Sequence, residues 1–113
     1  MKNKTWFENF PGAITVTDEN AIIIAMNAKS AETFKGSGGR DLIGQSVVDC
    51  HPPKTQAKVR ELYSDCEPNA YTIEKNGKKK LIYQAPYFED GELKGVVELS
   101  LPLPNEVPHY KRD

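Results

Sequence analysis

The stretch Ala13-Ile14-Thr15-Val16-Thr17-Asp18-Glu19-Asn20-Ala21-Ile22-Ile23-Ile24-Ala25-Met26-Asn27-Ala28 decides how this chain is read. Ala13 to Thr17 is a β-branched run with alternating faces, the mark of a strand. Asp18-Glu19-Asn20 supplies a turn, and Ala21 to Met26 follows as a second strand. Its unbroken apolar character predicts little exposed surface. A tight hairpin is the simplest connection between the two. Asn27 then reads as an N-cap, because its side-chain oxygen can satisfy an orphan backbone N–H of a short helix through Ala28, Ala31 and Phe34.

Upstream of this hairpin, Trp6, Phe7 and Phe10 stand at helical spacing and stop at the breaker pair Pro11-Gly12. Downstream, Gly36-Ser37-Gly38-Gly39 ends the short helix, and Leu42-Ile43-Gly44 leads to another turn around Val47-Val48. Pro52-Pro53 opens the most strongly patterned helix, since proline costs little in a first turn. Val59, Leu62, Tyr63 and Cys66 form its apolar stripe, opposite Lys58, Arg60, Glu61 and Asp65. The last third is a strand meander with hairpin turns at Asn76-Gly77 and Asp90-Gly91. Leu81, Tyr83, Ala85 and Tyr87 line one face of the returning strand, and Leu93, Val97, Leu99 and Leu101 one face of the last. From Pro102 the chain is expected to leave the sheet. The fold class is α+β, a five-stranded antiparallel sheet with short helices covering one face.

Composition narrows the function classes. With 113 residues the chain fits one domain, and 15 basic against 16 acidic side chains argue against a general nucleic-acid binder. The longest apolar run, Ala21 to Met26, falls far short of the roughly 20 residues a bilayer span needs. The N-terminus lacks the apolar segment of a signal peptide. Two cysteines, Cys50 and Cys66, suggest neither a disulfide framework nor a zinc site, and reduced thiols fit a cytoplasmic setting.

The element order, with Asp18-Glu19-Asn20, the apolar second strand, Asn27-Ala28 and Leu42-Ile43-Gly44-Gln45-Ser46, resembles a PAS domain. The resemblance runs from about Phe10 to Leu101. It implies an N-terminal helical cap (1–12), a PAS-like core (13–101) and a C-terminal tail (102–113). It further implies a small central pocket and a sensory or dimerisation role without catalysis. The run beside the flavin in photosensory members is absent. His51 is the only candidate near the long helix for the haem-ligating histidine of other members, so a haem-binding gas or redox sensor is one alternative. A pure interaction module with a side-chain-filled core is another. None of these 113 residues reads as a kinase, cyclase or DNA-binding module, so the signal is expected to reach a separate effector protein.

Other constellations read as structural. Gly36-Ser37-Gly38-Gly39 follows a helix and runs into Arg40-Asp41, unlike a phosphate loop. Lys78-Lys79-Lys80 beside a hairpin turn suits a solvated edge. Cys50 and His51 are adjacent, and neighbours in sequence rarely serve as nucleophile and base. Tyr63, Tyr71, Tyr83 and Tyr87 are candidates to converge and give an apolar pocket its polar contacts. The expected ligand is small, planar or partly apolar. It would lie between an inner sheet face (Ile14, Tyr71, Tyr83, Val97) and the helical side (Phe34, Leu42, His51, Val59, Tyr63). A homodimer is expected through Trp6, Phe7, Phe10 and an otherwise polar outer sheet face marked by Ile82 and Val96.

Overall fold

The computed structural model describes residues 5–48 and 67–113, together with Lys54 and Gln56. The helix expected after Pro52-Pro53 is described only at those last two residues, both helical, and its apolar stripe lies outside the described residues. The elements are α1 (Thr5–Asn9), β1 (Ala13–Asp18), β2 (Ile23–Met26), α2 (Ala28–Thr33), β3 (Asn69–Lys75), β4 (Lys78–Glu89) and β5 (Glu92–Leu103). Two 3-10 turns, Lys35–Ser37 and Gly39–Leu42, follow α2. The five strands form one antiparallel sheet in the order β2-β1-β5-β4-β3. No helix among the described residues is long and apolar enough to cross a membrane.

The first hairpin is less tight than the sequence implies. The Asp18 carboxylate accepts from the backbone N–H of Asn20 (2.8 Å) and of Ile22 (3.0 Å), while Ala21 sits at φ 64°. This Asx-type turn delays β2 until Ile23. A register shift between Val16 and Thr17 pairs Thr17 with Ile23 and Val16 with Ala25, skipping Ile24. Ile24 is therefore 48% exposed, against the expectation of a strand with little exposed surface. The bulge has a benefit: Ile23 and Met26, three residues apart, both reach one core cluster with Leu42, against which Phe34 and Val47 pack.

The later hairpins follow the turn chemistry. Asn76-Gly77 and Asp90-Gly91 all adopt positive φ, between 54° and 79°, as a type I′ turn requires. Pro102 remains within β5, which runs to Leu103, two residues beyond the expected core boundary. At that point β1 has already ended opposite Ser100, so one side of β5 needs no donor. Pro86 is tolerated in β4 for the same reason, lying past the end of β3 at Asn69.

Which face the helices cover follows from one contact. Ser30 of α2 shares a hydrogen bond of 2.6 Å with Thr15 of β1, so Thr15 points to the helix side. Antiparallel partners share a face and neighbours along a strand alternate. Thr15, Thr17, Val96, Glu98, Ser100, Ile82, Gln84, Asn69 and Tyr71 therefore face the helices. Ile14, Val16, Leu81, Tyr83, Ala85, Val97, Leu99 and Leu101 face away. This reverses the expected outer face: Ile82 (7% exposed) and Val96 (4%) are buried on the helix side and cannot mark an outer contact.

Candidate functional site

The helix-side face carries a side-chain relay across three strands. Asn69 Nδ2 donates to Gln84 Oε1 at 2.9 Å, and Gln84 Nε2 donates to Glu98 Oε2 at 2.7 Å. A carboxylate only accepts, so Glu98 fixes which way the Gln84 amide turns, and Gln84 in turn fixes Asn69. Glu98 stands opposite Thr15, and the Thr15–Ser30 bond carries the polar stripe on to α2. Tyr71 lies one pleat further along β3. Burial, and then the charge of Glu98, push its phenol above its ordinary range. Ile82 and Val96 flank the relay on the same face and are buried, so the carboxylate sits in a partly apolar setting.

A second polar centre holds the elements in place. Asn27 is fully buried (0% exposed) and satisfies all its bonding capacity. Its Oδ1 accepts from the N–H of Ile14 (2.9 Å) and of Ser30 (3.0 Å), and its Nδ2 donates to the carbonyls of Phe7 (3.0 Å) and Gly12 (2.9 Å). One side chain thus caps α2, fixes β1 and docks α1. Arg40 adds a second tie, with Nη1 on the Met26 carbonyl at 2.9 Å and Nη2 on both Glu8 oxygens at 2.7 and 2.9 Å.

The residues expected to line a pocket separate into three groups. Phe34, Leu42 and Tyr71 lie on the helix side, the first two over β2 and Tyr71 on β3 at the far edge of the sheet. Ile14, Tyr83 and Val97 lie on the opposite face, so they do not share a lining with Tyr71. Tyr87 points to that opposite face as well, donating its hydroxyl to the Thr17 carbonyl at 3.2 Å. The described tyrosines therefore do not converge. His51, Val59 and Tyr63 lie outside the described residues, as do Cys50 and Cys66. Among the described residues no three His, Cys, Asp or Glu side chains gather to hold a metal ion.

Sequence reasoning missed Asn69, Gln84 and Glu98. The Asn76-Gly77 turn does put Asn69 opposite Gln84. The step to Glu98 depends on a register shift between Tyr87 and Phe88. Without that bulge Gln84 would face Val97, and a one-residue slip moves every side chain to the other face.

A five-stranded antiparallel sheet in this order, with short helices on one face, defines a class of small α+β domains. The chain belongs to the PAS fold family, whose model matches residues 7–66. No curated protein matches it. Among solved structures, it is similar to a C-terminal domain from Streptococcus mutans (23% identity, TM-score 0.69, covering 84% of this chain and 78% of that one). It is similar to the Vibrio cholerae Aer2 receptor, a dual PAS-heme oxygen sensor (19%, 0.63, 82% and 95%). The PAS domain of Bordetella pertussis BvgS is a third (20%, 0.64, 90% and 84%).

Proposed function

We propose that this PAS domain is a sensory module that binds a small molecule on the helix-side face of β3–β5 and reports through protein contact across the opposite face. The observation that carries the reading is the division of the sheet. One face presents ordered hydrogen-bonding groups, the kind of polar contact that orients a ligand. The other presents Leu81, Tyr83, Ala85, Val97, Leu99 and Leu101 half-buried or exposed, an apolar stripe of the sort that marks a protein interface. A second copy of the chain is the proposed occupant, with Trp6, 66% exposed and edge-on to Phe7 at 5.8 Å, extending the contact from α1. A separate effector would then read the dimer. PAS domains are generally sensory and non-catalytic, in keeping with this role.

Native mass spectrometry of the purified protein tests both halves. A dimer carrying a small added mass supports the reading. A mass equal to the chain or an integral multiple of it points instead to an interaction module with a filled core. Replacing Trp6 and Phe7 with Ser is expected to weaken the dimer.

A further inference from the structure

We propose that Glu98, Gln84, Asn69 and Tyr71 recognise a small molecule presenting an N–H donor, an amine or a protonated nitrogen heterocycle, on an otherwise apolar body. The inference rests on the ligand-binding reading above and names the chemical class of its ligand. Glu98 closes the relay as its only pure acceptor, and the relay engages one of its two oxygens, Oε2. The ion pairs among the described residues, Lys29–Glu32, Arg40–Glu8, Lys94–Glu92 and Lys111–Asp113, all lie elsewhere, so none supplies a counter-charge to Glu98. Buried Ile82 and Val96 stand two residues before Gln84 and Glu98 on the same strands and face. A carboxylate in such surroundings gains most from a charge-assisted donor, whose hydrogen bond is about twice as strong as a neutral one. Among the described residues no cation pairs with Glu98 to offset its repulsion of an anionic ligand. The Tyr71 phenol stands on the same face as Gln84 and Glu98, is protonated at neutral pH like any ordinary tyrosine, and can donate to a ligand acceptor beside the amine.

The test uses two probes of similar size and opposite charge, phenethylammonium chloride and sodium 3-phenylpropionate, titrated into the full chain. Binding is read from the side-chain amide NMR signals of Asn69 and Gln84. The expected result is saturable shifts with the ammonium probe and binding at least about tenfold weaker for the carboxylate. Glu98→Gln keeps an oxygen to accept from Gln84, so the relay persists while the charge is lost. It should weaken the ammonium probe about tenfold and leave the carboxylate probe no weaker. Equal binding of both probes to the unmodified protein, or no effect of Glu98→Gln on the ammonium probe, overturns the donor-selective inference while leaving a ligand-binding face. Absence of shifts with either probe overturns the ligand-binding reading itself, and this inference with it.

Discussion

The two faces of the sheet are built from the same strands yet use opposite chemistry. On the helix side, Thr15, Glu98, Gln84 and Asn69 form a polar stripe from β1 to β3, with Asn69, Gln84 and Glu98 joined by hydrogen bonds of 2.9 and 2.7 Å and Thr15 bonded to Ser30 of α2 at 2.6 Å. On the other side, Ile14, Leu99 and Tyr83 occupy the neighbouring row and are wholly apolar apart from the phenol. An amphipathic strand normally buries its apolar face against the helices. Here that rule points to the wrong side, and an apolar stripe marks where a partner is proposed to dock rather than where the helices sit.

Asn27 is where the two faces are tied together, since it holds α2 to one side and the α1 segment to the strand entering the other. Asn27→Ala leaves two backbone donors and two backbone carbonyls without their partner. Unmade buried hydrogen bonds of this kind should cost about 3–5 kcal/mol in total, the largest loss expected, measured by urea unfolding. Gly95 comes next. A Cβ there would collide with the Thr17 carbonyl and come within 2.9 Å of the Tyr87 ring, at φ 156°. Gly95→Ala should cost about 2–4 kcal/mol by separating β1 from β5, seen in the same unfolding experiment.

The relay itself is half-buried, so its loss is milder. Gln84→Ala removes both of its cross-strand bonds and should cost about 1–2 kcal/mol, with the Asn69 side-chain amide signals moving toward solvent-exposed values. The smallest effect is at high pH. Both Tyr71 and Tyr87 are held above the ordinary tyrosine value of 10.0, by burial first and then by neighbouring carboxylates. A raised folded value means that these groups' contribution to stability is intact below that ordinary value and is lost as pH climbs through the raised one. Ultraviolet titration should therefore show two phenols ionising later than the rest, one of them removed by Tyr71→Phe.

Much of the fold is legible in the residues because its signals are local. The Asn27 cap, the Pro11-Gly12 break and the positive-φ turns at Asn76-Gly77 and Asp90-Gly91 each act within a few positions. The candidate site is not, because it depends on register across three strands. The Asn76-Gly77 turn sets Tyr71 opposite Ile82, which already separates Tyr71 from Tyr83. The apolar alternation of Leu81, Tyr83, Val97 and Leu99 nevertheless suggests an inward face. Two bulges, at Val16/Thr17 and Tyr87/Phe88, then shift partners in ways that no local pattern encodes.

The central claim is that the faces have separate tasks, ligand recognition toward the helices and self-association away from them. Sedimentation equilibrium on the unmodified chain, Tyr83→Glu and Glu98→Gln tests it directly. Tyr83 is 37% exposed on the apolar face, so a charge there should leave the fold intact, verified by circular dichroism, while opposing the dimer. The account predicts dimers for the unmodified chain and Glu98→Gln, and a monomer for Tyr83→Glu. A monomeric unmodified chain at tens of micromolar, or Glu98→Gln dissociating as fully as Tyr83→Glu, would contradict it.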